Sequence, residues 1–324
     1  MKIKASAIIA ASLLALVAQS AGAAVVGYLK ATVPANADVR LSIPLNQVEH
    51  GTFTAASVDA PNSTLTVDGD PFAEDEWAGA YYVRFITGDG EGLWSTIVGN
   101  GTGDLVLSDT DVLSHVSATD TFRIYKHHTL GSLLPAGLKG VSFNADTTIL
   151  LFVNNRLNMQ QNPSAARVAY WNDDDVADDG QVWEGFGVDN DTIIAPETTF
   201  IIRNDSDDEL AVIMPGNVPD YSVSLLVADD GDLNIGSGYP VAIKLKDAGL
   251  GGEDRAVLFY ENGTAGFDKS AWRTAYYDEE EDSLWGGYMV DGDQLINPGE
   301  TITLRLPSGD TGTKVTIPMP YALP

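Results

Sequence analysis

The sequence predicts an all-β protein: a small β-barrel-like module followed by duplicated antiparallel β-sandwich units. Three observations predict it. From Val25 onward, short apolar-rich and alternating runs at 81–86, 94–98, 105–107, 121–125, 149–153, 199–203, 222–227, 241–245, 257–260 and 301–306 read as strands. Asp-Gly at 68, 89, 179, 230 and 291, with Asn-Gly at 100 and 262, supply the positive φ angles that tight hairpin turns require. No window sustains a helical period, so nothing competes with the strand reading.

The first element is an export signal. Lys2 and Lys4, an apolar run from Ala5 to Ala18 and the small residues Ala21, Gly22 and Ala23 have the layout of a secretory leader, with cleavage expected after Ala23. The apolar core is shorter than the roughly 20 residues a spanning helix needs, and no membrane span is expected. The whole chain has 324 residues, 18 basic and 46 acidic side chains, a net charge of −28 and no cysteine. Losing Lys2 and Lys4 leaves 16 basic against 46 acidic groups, or −30. A field of that sign repels phosphate backbones and anionic headgroups, which argues against nucleic acid or a membrane surface as partner. An exported chain without cysteine fits a bacterium, in the periplasm, on the outer surface or outside the cell.

After the leader, residues 24–52 are expected to form N-terminal strands that pack on the repeat region. Residues 53–128 form the small module, and 129–220 and 221–324 form the two units. An internal repeat sets the last two boundaries. Leu150, Leu151, Phe152, Val153, Asn154 and Asn155 recur as Val257, Leu258, Phe259, Tyr260, Glu261 and Asn262 at an offset of 107. Arg167, Ala169, Tyr170 and Trp171 recur as Arg273, Ala275, Tyr276 and Tyr277 at 106; Trp183, Gly185, Pro196, Thr199 and Arg203 recur as Trp285, Gly287, Pro298, Thr301 and Arg305 at 102. The offset drifts inside polar loops, where insertions cost little. Tyr170 and Tyr276, and Trp183 and Trp285, are therefore expected to be buried in equivalent environments. Arg203 and Arg305 face away from the core and should each pair with an acidic neighbour across the sheet.

Two resemblances add to this reading. Residues 80–125 carry paired aromatics in a strand, a Gly-Asp-Gly-Glu-Gly turn at 88–92, a return through Ile97 and Val98, and an Asn-Gly turn before Asp104. That segment resembles small β modules of phage tail and baseplate proteins, which implies a compact barrel and no activity. Over most of the mature chain, the order of parts is similar to an uncharacterised family of exported proteins from Verrucomicrobia-type bacteria. Val26-Gly27-Tyr28, the strand from Tyr82 to Phe85 with Gly92 and Ile97, the Leu130-Gly131 junction and the doubled Tyr-aromatic, Trp, Pro and Arg units carry the match. It implies an exported location and an all-β fold, with no activity or site residues to transfer. The chain departs from the family in its acidity at 172–179 and 278–282.

The candidate chemistry is sparse. Asp173, Asp174, Asp175, Asp178 and Asp179 crowd one turn, and Asp278, Glu279, Glu280, Glu281 and Asp282 crowd its counterpart. Calcium takes six to eight oxygens, so Asp173, Asp175, Asp178, Asp278, Glu280 and Asp282 are candidate ligands. Asp230, Asp232 and Asn234 have calcium-loop spacing, although Gly236 falls one place late and no glutamate stands at the twelfth position. A solvated acidic turn explains these clusters more simply, and no cofactor is expected. Glu184 beside Trp183 and Glu76 beside Trp77 could flank a sugar, but Gly286 replaces Glu184 in the second unit. Serine-nucleophile and zinc motifs are absent, and His127 and His128, adjacent in a strand, cannot both ligate one metal. The reading is a non-enzymatic exported structural or cell-surface-associated protein. The alternative is a calcium-assisted carbohydrate-binding module in which Trp77, Trp94 or Trp272 stacks on a cell-surface glycan; self-association is the other partner class considered.

Overall fold

The computed structural model describes residues 25–135, 137–138, 147–151, 165, 167–172, 183–227, 231–280, 284–307 and 313–322. The chain opens on β1 (Val26–Val33) and β2 (Ala37–Ser42). It then forms β3 (Glu49–Asp59), β4 (Thr64–Val67), β5 (Tyr81–Phe85), β6 (Trp94–Asn100), β7 (Asp104–Leu107) and β8 (Thr121–Lys126). These six close into a barrel in the order β3-β4-β7-β6-β5-β8, every pairing antiparallel. Closure leaves no edge to pair with another chain. Leu65, Phe85, Ile97, Leu105, Phe122 and Ile124 fill the interior. They alternate along their strands with outward residues, as a two-residue period requires.

After the barrel come β9 (His128–Thr129), β10 (Thr147–Leu151), β11 (Arg167–Trp171), β12 (Trp183–Glu184), β13 (Ile193–Ile194), β14 (Thr199–Asn204) and β15 (Leu210–Asn217). The chain ends with β16 (Val223–Leu226), β17 (Asp232–Gly236), β18 (Ile243–Lys244), β19 (Ala256–Phe259), β20 (Arg273–Tyr277), β21 (Trp285–Gly287), β22 (Val290–Asp291), β23 (Leu295–Ile296), β24 (Thr301–Arg305) and β25 (Lys314–Ile317). The run expected at 241–245 shortens to β18, because Leu245 begins a 3-10 turn that ends at Asp247.

Two sheets follow, in the orders β12-β11-β10-β14-β2 and β22-β21-β20-β19-β24-β17. The pairings correspond strand by strand. β2 takes in the first sheet the place that β17 takes in the second, so Arg203 stands opposite Asp38 and Arg305 opposite Asp232. Each sheet is backed by a two-stranded ribbon, β1-β15 and β16-β25 respectively. The barrel therefore lies in the chain between β2 and β9, two segments of the first sheet's assembly. Its outer residues Tyr82, Trp94 and Tyr125 join the apolar core of the second sheet, and Leu226 of β16 joins the core of the barrel.

The sheets meet along a polar seam. The side-chain amide of Asn262 donates to Arg40 O and accepts from Arg40 N, both at 2.9 Å, so it pairs with β2 as a strand would. Arg40 is buried with its guanidinium 4.1 Å from the Tyr260 ring centroid. Burial drives its pKa down, against the pull of Tyr260 and Asp38. Ser42 N donates to Gly299 O, and Asp38 N donates to Gly266 O.

Candidate functional site

The recurrent residues sort into those that pack and those that do not. Trp183 and Trp285 are 1% and 2% exposed. Each meets an aromatic edge to face, Trp171 at 5.3 Å and Tyr277 at 5.1 Å between centroids, both at 73°. Gly185 and Gly287 are equally constrained. A Cβ on either would lie 2.2 Å from a backbone oxygen of the neighbouring strand, that of Val168 or of Thr274.

Tyr170 and Tyr276 correct the expectation of burial. Tyr170 is half-buried and Tyr276 is 61% exposed. Ala169 and Ala275 are fully buried, and the strand period then turns 171 and 277 inward and 170 and 276 outward. The sequence gives no separate signal for the residue after each glycine. Phe186 is 99% exposed and Tyr288 is 84% exposed, and each begins the two-residue turn closed by the 185–188 bridge or the 287–290 pair. The second turn residue has positive φ in both, +65° at Gly187 and +58° at Met289. Arg167 reaches the first turn, donating from Nη1 to Gly187 O at 3.2 Å.

Among the described residues, these turns lie at the ends of the two sheets, where β12 and β22 pair with no further strand. The second end is the richer in exposed apolar side chains among the described residues. Trp272, Tyr276, Leu284, Tyr288 and Met289 are all exposed there, and Val168 joins Phe186 at the first. Trp272 is the one expected stacking residue at the surface, with the Arg273 guanidinium 3.6 Å from its ring centroid. Arg273 Nη1 donates to Gln294 Oε1 at 2.7 Å. Trp77 and Trp94 are buried instead, in the barrel core and the barrel's contact with the second sheet, which removes them as platforms.

The carboxylates expected to hold calcium are placed as follows. Asp173, Asp175, Asp178, Asp230 and Asp282 lie outside the described residues. Asp232 and Asn234 lie in β17, not in a loop, which corrects the calcium-loop reading. Both Asp232 oxygens accept from Arg305, at 2.7 and 2.8 Å. Asp278 Oδ1 accepts from Glu280 N at 2.9 Å, an ordinary acidic turn. No group of three candidate metal-ligating side chains converges among the described residues. Glu184 accepts from Asn172 Nδ2, and Glu76 from Ala73 N, so both glutamates have local structural bonds.

The interior holds a second concentration of polar groups, where the barrel meets both sheets. Arg84 of β5 donates from Nη2 to Glu197 Oε1 at 2.6 Å and from Nη1 to Gly92 O at 2.7 Å. Its guanidinium lies 4.9 Å from the centroid of Tyr221. Burial opposes the charge, but Glu197 and the two tyrosines outweigh it and raise the Arg84 pKa. Glu197 has a φ of +55°, and the matching position of the second sheet is Gly299 at +70°. A side chain thus occupies a left-handed backbone, at roughly 1 to 2 kcal/mol, where its carboxylate reaches the barrel. Asn46, Tyr82, Arg84, His128, Glu197 and Tyr221 border a cavity of about 20 Å³. That is room for about one water, far below the several hundred Å³ typical of an organic ligand site.

His127 and His128 are both buried beside this junction. His127 Nε2 is 3.2 Å from Thr96 Oγ1, and His128 Nε2 is 3.0 Å from Leu45 O. Burial lowers both to about 4, helped at His127 by the neighbouring His128. They are neutral at pH 7 and act as hydrogen-bonding links. No known protein family matches the chain, nor does any curated protein or solved structure. Among the described residues no helix is long and apolar enough to cross a membrane.

Proposed function

We propose that the protein is an exported, non-enzymatic structural protein that associates with the cell surface through the outer ends of two duplicated sheets. The observation that carries this reading is the contrast at matching positions. Trp183, Gly185, Arg203 and their counterparts each have a packing or pairing reason to recur, whereas Phe186 and Tyr288 recur as aromatics with none. A large exposed apolar side chain held on a tight turn of a rigid sheet is suited to contact. The barrel, locked between the sheets by Arg84, serves to fix their relative placement. The layout of residues 1–23, a basic start, an apolar run and small residues at 21–23, supports the location.

Fractionation tests the reading. The native protein should begin at Ala24 and sediment with envelope material, and Phe186→Ser/Tyr288→Ser should move it to the soluble fraction. A protein that retains Met1, or a double variant that stays with the envelope, contradicts it.

A further inference from the structure

We infer that the outer ends recognise an uncharged polysaccharide, each sheet contributing one platform to a bivalent grip; this rests on the reading of those ends as contact surfaces. The side chains are the first reason. At the second end β20 points Thr274 and Tyr276 to the same side by the strand period, exposed Trp272 immediately precedes the strand, and exposed Tyr288 lies on the β21–β22 turn. The Tyr276 and Tyr288 rings in solvent, and Trp272 with one face stacked under the Arg273 guanidinium, which also bonds Gln294, match a sugar ring's apolar C–H face and hydroxyl rim. At the first end Phe186 supplies the ring, with Val168 and the half-buried Tyr170 on the outward side of β11.

Charge is the second reason, because it selects among occupants. In the sequence, five carboxylates at 173–179 precede the turn that carries Phe186 and five at 278–282 precede the turn that carries Tyr288, on a chain of net charge −28. A second copy of the chain would bring carboxylates onto carboxylates, and nucleic acid, anionic lipid or an acidic glycan would be repelled in the same way. A neutral polymer suffers no such penalty. Duplication is the third reason, since a polymer repeats its binding epitope and two linked weak sites then raise the apparent affinity without any new contact.

Affinity electrophoresis of the mature protein tests this. The probes are hydroxyethylcellulose, soluble β-1,3-glucan, glucomannan and dextran, with alginate as the polyanionic control. At least one neutral polymer should retard the protein and alginate should not. Phe186→Ser and Tyr288→Ser should each weaken retardation about 100-fold or more, the loss expected when avidity disappears, and the double variant should abolish it. Unchanged far-ultraviolet circular dichroism would show that the variants remain folded. Retardation by no neutral polymer, or full retardation of the double variant, overturns the inference. Concentration-dependent self-association abolished by the double variant would instead assign the ends to a second copy, and also overturns it. If the double variant leaves the envelope while neither form binds any polymer, the surface-contact reading stands and the polysaccharide does not.

Discussion

The seam where the two sheets meet and the outer ends where they stop are built from the same repeated strands but finished in opposite ways. At the seam, polar groups are matched. Asp38 accepts two bonds from Arg203 and one from Asp268 N, and the Asn262 amide completes the edge of β2. At the ends, apolar groups are left without cover among the described residues, and Phe186 and Tyr288, three residues beyond a buried tryptophan, are exposed. The difference teaches that recurrence in the sequence has two causes, packing and contact, and that burial separates them. A further asymmetry concerns the ribbons. The outer side of β16 is covered by the barrel, where Ser224 Oγ donates to Glu91 O and Ser224 N to Gly92 O. The corresponding side of β1-β15 leaves Tyr28 and Ile213 exposed.

The largest effects should come from the interior. Trp183→Ala and Trp285→Ala should each cost about 3 to 5 kcal/mol in urea unfolding, the range for truncating a buried aromatic. A loss below about 1 kcal/mol from either would remove the distinction between buried and exposed recurrence. Arg84→Met should cost about 3 kcal/mol, because it leaves Glu197 buried without its cation. Arg84→Met/Glu197→Gly should recover much of that loss, since it removes the orphaned carboxylate and gives the left-handed position a glycine, as at Gly299. A double variant no better than the single would show that the pair, and not the isolated charge, holds the barrel.

Acid should loosen the same region. His127 and His128 titrate near 4 in the folded chain, below the usual 6.5, so the unfolded chain takes up protons first as pH falls. Stability is therefore complete above about pH 6.5 and declines toward pH 4, by about 3 kcal/mol per ring at full titration. Urea midpoints at pH 7 and pH 4.5 check this, with His127→Gln/His128→Gln expected to flatten the slope. A wild-type midpoint that does not move between those values would place the rings in solvent.

The two arginine pairs sharpen the comparison on a smaller scale. Asp38 is more deeply buried than Asp232 and has the additional bond from Asp268 N. Asp38→Ala should cost about 2 kcal/mol and Asp232→Ala about 1 kcal/mol. Equal losses would show that the seam adds nothing to a cross-strand pair.

Much of this was legible in the sequence. Alternation marked the barrel strands, and the offset of 102 set Arg203 beside Arg305 on outward positions with a cross-strand acid expected. The partners themselves were not legible, because Asp38 lies 165 residues before Arg203 and β2 carries no mark of its destination. The facing of the aromatic pairs is not legible in the sequence, since a five-residue strand with aromatics on both faces shows no parity unless Ala169 and Ala275 are the inward positions. Glu197 had one faint signal, a glutamate after Pro196 where Pro298 is followed by glycine. Phe186 and Tyr288 had another, standing next to Trp-x-Gly at the same offset, but only burial distinguishes such a residue from its packed neighbours.

The most direct test of the central claim compares two residues of one strand and turn. Urea unfolding of Trp285→Ala and Tyr288→Ala, followed by circular dichroism under the same conditions, should separate them by about 3 kcal/mol, with Tyr288→Ala within about 0.5 kcal/mol of the wild type. Similar losses from both would contradict the account, because Tyr288 would then be part of the packing and not a surface held out for contact.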